Sequence, residues 1–281
     1  MATGRLSRRT ASSVGLYVIV VVASLVALVP LLWALSTSLK PSAAVMSSPP
    51  SWIPTVATFQ HYVDVFVKSN FARYLLNSVI VATSATVVVL VVGAHAAYAA
   101  ARFAFPGRRL FLAVLLVTLM IPLTVLVVPL YLLASNLGVI NTYGVLIVVY
   151  SAWQLPAGVW LLRGFFEDIP VELAEAASVD GASQWRTFYR IILPLSLPGL
   201  AATGIITFVW VWNEFIISLV LTSSDDMRLI PVGLYQFVGA FGTDWGGLTA
   251  AALIAILPII VLFGFLQRYL VTGLTSGGVK G

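Results

Sequence analysis

No cysteine occurs in the 281-residue chain, which excludes a disulfide framework, thiolate metal sites and cysteine nucleophiles. Histidine is almost as scarce. His61 and His95 lie far apart in sequence, offer no basis for an imidazole-held zinc or a haem, and read as structural residues. Charge is the third deficit: only 9% of residues are charged, against about 25% in a soluble domain, so most of the surface faces something other than water. Lysine is confined to Lys40, Lys68 and Lys280, none set in the Gly-x-x-x-x-Gly-Lys-Ser/Thr loop that cradles phosphates. Any ATPase must therefore be another polypeptide. No Gly-x-Ser-x-Gly elbow and no His-Glu-x-x-His are present, and the chain is not expected to be catalytic. The net charge of +5 is spread without a continuous patch, so nucleic acid is not an expected partner.

The sequence is rich instead in apolar residues: 60% are hydrophobic and the mean hydropathy is +1.03. A spanning helix takes roughly 20 apolar residues. Runs of that kind place six helices at Leu16 to Leu39, Tyr74 to Ala101, Leu110 to Leu133, Tyr143 to Leu162, Gly199 to Leu221 and Leu248 to Leu270. The first run comes after Arg5, Arg8 and Arg9 as a signal peptide would, but it exceeds an h-region and lacks a small-residue cleavage site, so it reads as a retained anchor. With the N-terminus inside, Arg5, Arg8, Arg9, Arg102, Arg108, Arg109, Arg163, Arg186, Arg190, Arg268 and Lys280 are internal, while Lys40, Lys68, Arg73 and Arg228 are external. That bias of 11 to 4 among fifteen basic residues predicts a multi-pass cell-membrane protein with both termini cytoplasmic. Bends are expected at Pro122, Pro129, Pro156, Gly158 and Pro258, where neighbouring helices can satisfy the freed backbone groups.

The one long internal connection, 163–198, holds eight charges: Arg163, Glu167, Asp168, Glu172, Glu175, Asp180, Arg186 and Arg190. Its signals predict two short helices. Pro170 suits a first turn, the acids suit the positive helix end, Gly181 breaks the run and Ser183 caps the second helix. That second helix presents Trp185, Phe188, Tyr189 and Ile192 on one face, part of which should pack on the chain's own helix ends, and Pro194 is expected to end it. Ala176 and Ala177 beside Glu175 make an exposed remainder that suits insertion into a groove on a cytoplasmic protein.

The string Glu175-Ala176-Ala177-Ser178-Val179-Asp180-Gly181-Ala182, with Phe188 and Ile191-Ile192-Leu193-Pro194 after it, resembles the EAA loop of bacterial ABC importer permeases. The resemblance runs from about Asn70 to the C-terminus. It takes in Tyr74-Leu75-Leu76-Asn77-Ser78, Trp212-Asn213-Glu214-Phe215 and the ending Gln267-Arg268-Tyr269 through Gly273-Leu274-Thr275 to Gly278-Val279-Lys280-Gly281, and is similar to the MalG-type permeases of carbohydrate uptake. It implies an all-α, polytopic type I importer subunit: a cytoplasmic tail 1–15, a first helix and outer segment 16–69, a permease core 70–270 and a cytoplasmic tail 271–281. It implies as partners a second homologous permease, two ATP-binding cassette subunits and an extracytoplasmic sugar-binding protein, besides membrane lipid. No cofactor is implied in this chain, ATP and Mg²⁺ acting on the partner ATPase. By the same analogy the loop is the coupling helix: Glu175 and Asp180 contact the ATPase groove, Ala176 and Ala177 permit close approach and Gly181 permits the turn.

Glu214 is the one acid within an apolar run. A charge there is costly and faces protein or a watery cavity. With Asn213, and with Trp210 four residues earlier on the same face, it reads either as translocation pathway, as permease interface, or as a structural pair holding helices together. An alternative reading makes Glu214 the relay of a proton-coupled secondary carrier or part of an intramembrane enzyme, although no internal repeat or second acid accompanies it. Outside, the proline-rich stretch 41–73 turns helical around Phe59 to Phe71 as an outer rim or docking surface. The stretch 222–247 offers Asp225, Asp226 and Asp244 with Tyr235, Phe237 and Trp245, either for contact with a binding protein or sugar or as a solvated loop.

Overall fold

The structure is a computed structural model describing residues 3–239 and 242–277, with side chains over 15–239 and 242–269. The side chains of Arg5, Arg8 and Arg9 and the ending Gly278-Val279-Lys280-Gly281 lie outside the described residues. The chain is helical: α1 (Thr3–Ser38), α2 (Ser42–Val45), α3 (Gln60–Val67), α4 (Phe71–Arg102), α5 (Arg108–Met120), α6 (Leu123–Asn136), α7 (Tyr143–Asp168), α8 (Glu172–Val179), α9 (Gln184–Thr187), a π turn at Phe188–Ile192, α10 (Leu193–Leu195), α11 (Leu197–Asn213), α12 (Ile216–Leu221), α13 (Ile230–Tyr235) and α14 (Trp245–Gly277). A short antiparallel hairpin pairs β1 (Val238–Gly239) with β2 (Gly242–Thr243).

Among the described residues four helices are long and apolar enough to cross a membrane, and six spans result if each of two bent pairs counts as one. The expected third span is one of these pairs, its halves α5 and α6 meeting at 97°. Pro122 explains the break: it lacks an N–H and drives the preceding residue out of the helical region, and Ile121 is extended at φ −78°, ψ 123°. Pro129, Pro156 and Pro258, where bends were expected, stay inside continuous helices. The expected fifth span also differs. Helical structure begins at Gln184, turns by 72° before α11, and stops again at Glu214 before α12. Pro194 does not end the second loop helix as expected; it follows directly on the π turn at Phe188–Ile192, and Ser196 closes the helix.

Two units emerge from the contacts, residues 1–69 with 236–254 and residues 70–235 with 255–281. In the second unit α4, α7 and α11 pack as one group. Small residues set their approach, as in membrane helices generally. A Cβ on Gly158 would stand 2.7 Å from Val89 Cγ1, so α7 meets α4 at a distance that no larger residue allows. Toward the end of α4, Ala94, Ala97 and Tyr98 bury themselves with Val159, Leu162 and Phe166 of α7.

In the first unit His61 is buried, with Nε2 2.9 Å from the Lys40 carbonyl and its ring against Gly246, which accounts for its structural role. Lys40, also buried, donates to the Ser51 carbonyl and lies 4.7 Å over the Trp33 ring. On α3 the Asp64 carboxyl is held below the usual range by hydrogen bonds from Lys68 and then Gln60.

Candidate functional site

The 163–198 segment is built outward from the end of α7. That helix runs six residues past the expected apolar boundary, and Arg102, the last residue of α4, donates from Nη2 to the carbonyls of Phe166 (2.7 Å) and Ile169. A cation thus satisfies carbonyls at a helix C-terminus, which fixes where the loop departs. After Pro170, α8 opens with Glu172 and Glu175 in its first turn, the dipole-favoured place for acids. It closes as a Schellman motif: the Gly181 amide donates to Ser178 (3.0 Å), the Ala182 amide to Ala177 (2.9 Å), and Gly181 adopts φ +78°. Ser183 then accepts from the Arg186 amide at 3.3 Å and caps α9, as its position in the sequence implied.

The aromatic face divides in two. Phe188 and Ile192 are buried in the α4–α7 cluster, so this part does pack on the chain's own helix ends. Trp185 and Tyr189 stay exposed and stacked, with ring centroids 6.1 Å apart. His95 of α4 lies beneath them, its Nε2 2.8 Å from the Tyr189 hydroxyl, so it is half-buried and tied to the loop. Glu175, Ala176, Asp180 and Gly181 are exposed. Ala177 is a correction: expected on the exposed surface, it is buried, on the face of α8 that packs back on α9 and the π turn. Val179, at 88% exposure, is the apolar tip that sequence reasoning passed over. Glu175 also borders a hollow of about 230 Å³ whose walls include Tyr98 and Arg102.

Glu214 is not in mid-helix. It terminates α11 in an extended conformation, and its buried side chain turns back over the start of α12. Oε1 accepts from the Ile216 amide (2.8 Å), and Oε2 from the Ile217 amide (3.0 Å) and the Tyr150 hydroxyl (2.8 Å). The acid therefore does the work of a helix cap inside an apolar layer, where free amides have no water to bond. Trp210 packs edge-on against Tyr150 at 6.3 Å and so joins the same group. Asn213 does not: it is exposed and donates to the Val209 carbonyl of its own helix at 2.7 Å. The expected Asn213–Glu214 pair is thus two residues pointing apart across a helix end. Tyr150, which sequence reasoning missed, is the residue that links α7 to this break.

Beside the α5–α6 bend lies an open groove of about 580 Å³ between α6 and α7, apolar apart from Thr118, Thr142 and the Trp153 indole. In the outer stretch Asp225 accepts from Tyr74 (2.6 Å), Arg228 (2.8 Å) and Asn70, and the Asn77 amide donates to the Asp226 and Arg228 carbonyls. Asp244 caps α14 through the Gly247 amide at 3.0 Å. Asp225 and Asp244 are thereby committed within the chain, which leaves Asp226, Tyr235 and Trp245 as exposed members of the set named from the sequence.

Comparison with known proteins agrees with this arrangement. Residues 89–276 match the model of the family described as binding-protein-dependent transport system inner membrane component. The chain is 38% identical over 257 residues to the trehalose transport system permease protein SugB of Mycobacterium tuberculosis, covering 91% of this chain and 93% of that one. It is 36% identical over 256 residues to the diacetylchitobiose uptake system permease protein NgcG of Streptomyces coelicolor, covering 90% and 84%. It is 36% identical over 261 residues to the trehalose/maltose transport system permease protein MalG of Thermococcus litoralis, covering 92% and 93%. Among solved structures, a bacterial ABC transporter involved in import of the acidic polysaccharide alginate shares the fold at TM-score 0.76 and 21% identity, covering 92% of this chain and 95% of that chain.

Proposed function

The chain belongs to the family of binding-protein-dependent transport system inner membrane components and is an ABC transporter permease, and from that premise we propose that it forms half of the translocation pathway of an ATP-driven saccharide importer. Relatives named for trehalose, maltose and diacetylchitobiose uptake support a saccharide as cargo. No cluster of arginines is assigned to the outer segments, which argues against a phosphorylated one. A second permease completes the pathway, two ATP-binding cassette subunits supply ATP hydrolysis with Mg²⁺, and an extracytoplasmic binding protein delivers the sugar. The excess of basic residues at one side supports cytoplasmic termini.

One observation carries the coupling assignment: the exposed turn of α8 is held from behind at both ends, by Arg102 on the α7 carbonyls and by Phe188 in the α4–α7 core. A push on Glu175, Ala176, Val179, Asp180 and Gly181 is then transmitted to the spans rather than absorbed by a slack loop. Trp210, Glu214 and Tyr150 belong to the pathway wall or the permease interface through their position at the α11–α12 break. Here Asn213, exposed beside that break, is the polar side chain placed to face cargo or partner. The secondary-carrier and intramembrane-enzyme readings are not favoured, since Glu214 is used as a backbone cap and the relatives are importer permeases. The test is detergent-mild co-purification of the full chain with mass-spectrometric identification of its partners, repeated with Glu175→Arg. An ATPase and a second permease recovered with the native chain, and the ATPase alone lost with the variant, are the expected results. Equal ATPase recovery together with unchanged uptake in the variant removes Glu175 from the coupling surface.

A further inference from the structure

At the end of the broken span, three arginines from two elements converge on one hollow. Arg108 and Arg109 open α5, Arg163 comes from α7, and with Phe105, Leu110 and Leu112 they line an open hollow of about 650 Å³. One carboxyl serves this group: Glu167 Oε1 lies 2.8 Å from Arg163 and 3.8 Å from Arg108. Arg109 forms no ion pair among the described residues, so three positive charges face one negative one. Gly107 offers no capping side chain to α5, and the positive end of that 13-residue helix adds to the same field. Directly beyond the arginines the outer face of α5 is a ridge of Leu110, Val114 and Val117, exposed by 68%, 51% and 59% and spaced i, i+4, i+7.

We propose that this hollow is a binding site for the phosphate headgroup of an anionic glycerophospholipid, whose acyl chains lie along the α5 ridge. A soluble anion uses only the charge. A lipid uses both halves of the surface, the surplus of positive charge at the headgroup level and the continuous apolar ridge leading away from it, and basic pockets beside membrane helices suit such headgroups. The hollow shares no lining residue with α8, and the proposal rests on the membrane reading of the chain without needing the saccharide or the coupling assignment.

The experiment is native mass spectrometry of the purified full chain in mild detergent, with dioleoyl phosphatidylglycerol competed against dioleoyl phosphatidylcholine. Phosphatidylglycerol is expected to be retained in preference. Arg109→Gln should reduce that preference about fivefold, and Arg108→Gln with Arg109→Gln about 25-fold, at one charge-contact equivalent each. Arg109→Lys should keep most of it, which separates loss of charge from loss of fold. Equal retention of the two lipids by the native chain overturns the proposal, as does a preference unchanged in the double variant. Displacement of the lipid by millimolar inorganic phosphate overturns it in favour of a soluble anion site. An unchanged lipid preference with loss of ATPase co-purification overturns it in favour of a protein contact.

Discussion

Replacing Glu214 by alanine withdraws the acceptors of the Ile216 and Ile217 amides and of the Tyr150 hydroxyl, which bond to it at 2.8, 3.0 and 2.8 Å. A buried donor left without a partner costs about 1–3 kcal/mol, so three of them amount to about 3 kcal/mol or more. At roughly 2 °C per kcal/mol for a chain of this size, the apparent unfolding midpoint of the purified protein in detergent should fall by about 6 °C. Glu214→Gln retains a carbonyl for the amides and lets the Tyr150 hydroxyl turn, so its loss should be a third of that or less. Tyr150→Phe removes one bond and should cost about 1–2 kcal/mol. The double change Tyr150→Phe with Glu214→Gln should be less than additive, because the two groups share one hydrogen bond. Thermal denaturation monitored by size-exclusion chromatography measures all four, and sugar uptake in cells is read beside it. An alanine variant with an unchanged midpoint refutes the cap reasoning. A glutamine variant of normal midpoint whose uptake is abolished shows that the acid has a proton or cargo to handle, and restores the relay reading.

Gly158→Ala forces a Cβ to within 2.7 Å of Val89 Cγ1 and should cost about 1–3 kcal/mol by overpacking α4 against α7, lowering yield and midpoint; an unaffected midpoint means that the helices separate without penalty. Gly181→Val places a branched residue at φ +78°, at about 1–2 kcal/mol, and should leave membrane insertion intact while ATP hydrolysis by the assembled complex is no longer matched by uptake. Normal uptake by that variant argues against α8 as the coupling element. Arg102→Gln removes the charged donor from the Phe166 and Ile169 carbonyls and should raise amide hydrogen exchange over 166–182 with the membrane spans unchanged. Exchange equal to the native chain's would mean that the loop is fixed by Phe188 and Ile192 alone.

The apolar runs and the loop between them were legible because both rest on signals that depend on nearby residues alone. Twenty apolar residues have few alternatives to a spanning helix, and Gly181 with Ser183 two residues on spells a helix stop and a helix start whatever lies around them. Two features were legible only in part. Pro122 announced a disturbance but not its size: a proline in a membrane helix is usually absorbed, as Pro129, Pro156 and Pro258 are, and nothing local distinguishes the one that turns its helix by 97°. Glu214 announced a function but concealed a structure. Glutamate is not a favoured capping residue, and the amides it satisfies become free only because α11 ends there, a fact decided by packing.

The residues that the sequence did not offer act across the fold. Arg102 entered the reading as one more internal positive charge, yet its guanidinium closes a helix 64 residues away in sequence. Tyr150 was not singled out, His95 read only as a structural histidine, and Val179 was one letter of the loop's string. Tyr150 and His95 acquire their parts from neighbours brought by tertiary structure, Glu214 for Tyr150 and Tyr189 for His95, while Val179 stands out because α8 turns its other face, with Ala177, to α9 and the π turn. The consequence for the coupling surface is specific. An EAA string suggests two alanines as the contact pair, whereas the turn offers Ala176 and Val179, which lie three apart on one helix face and can meet a partner groove together. Val179→Asp should therefore weaken ATPase recovery with the full chain more than Ala177→Ser does, and the reverse order in the co-purification would return the contact to the alanine pair.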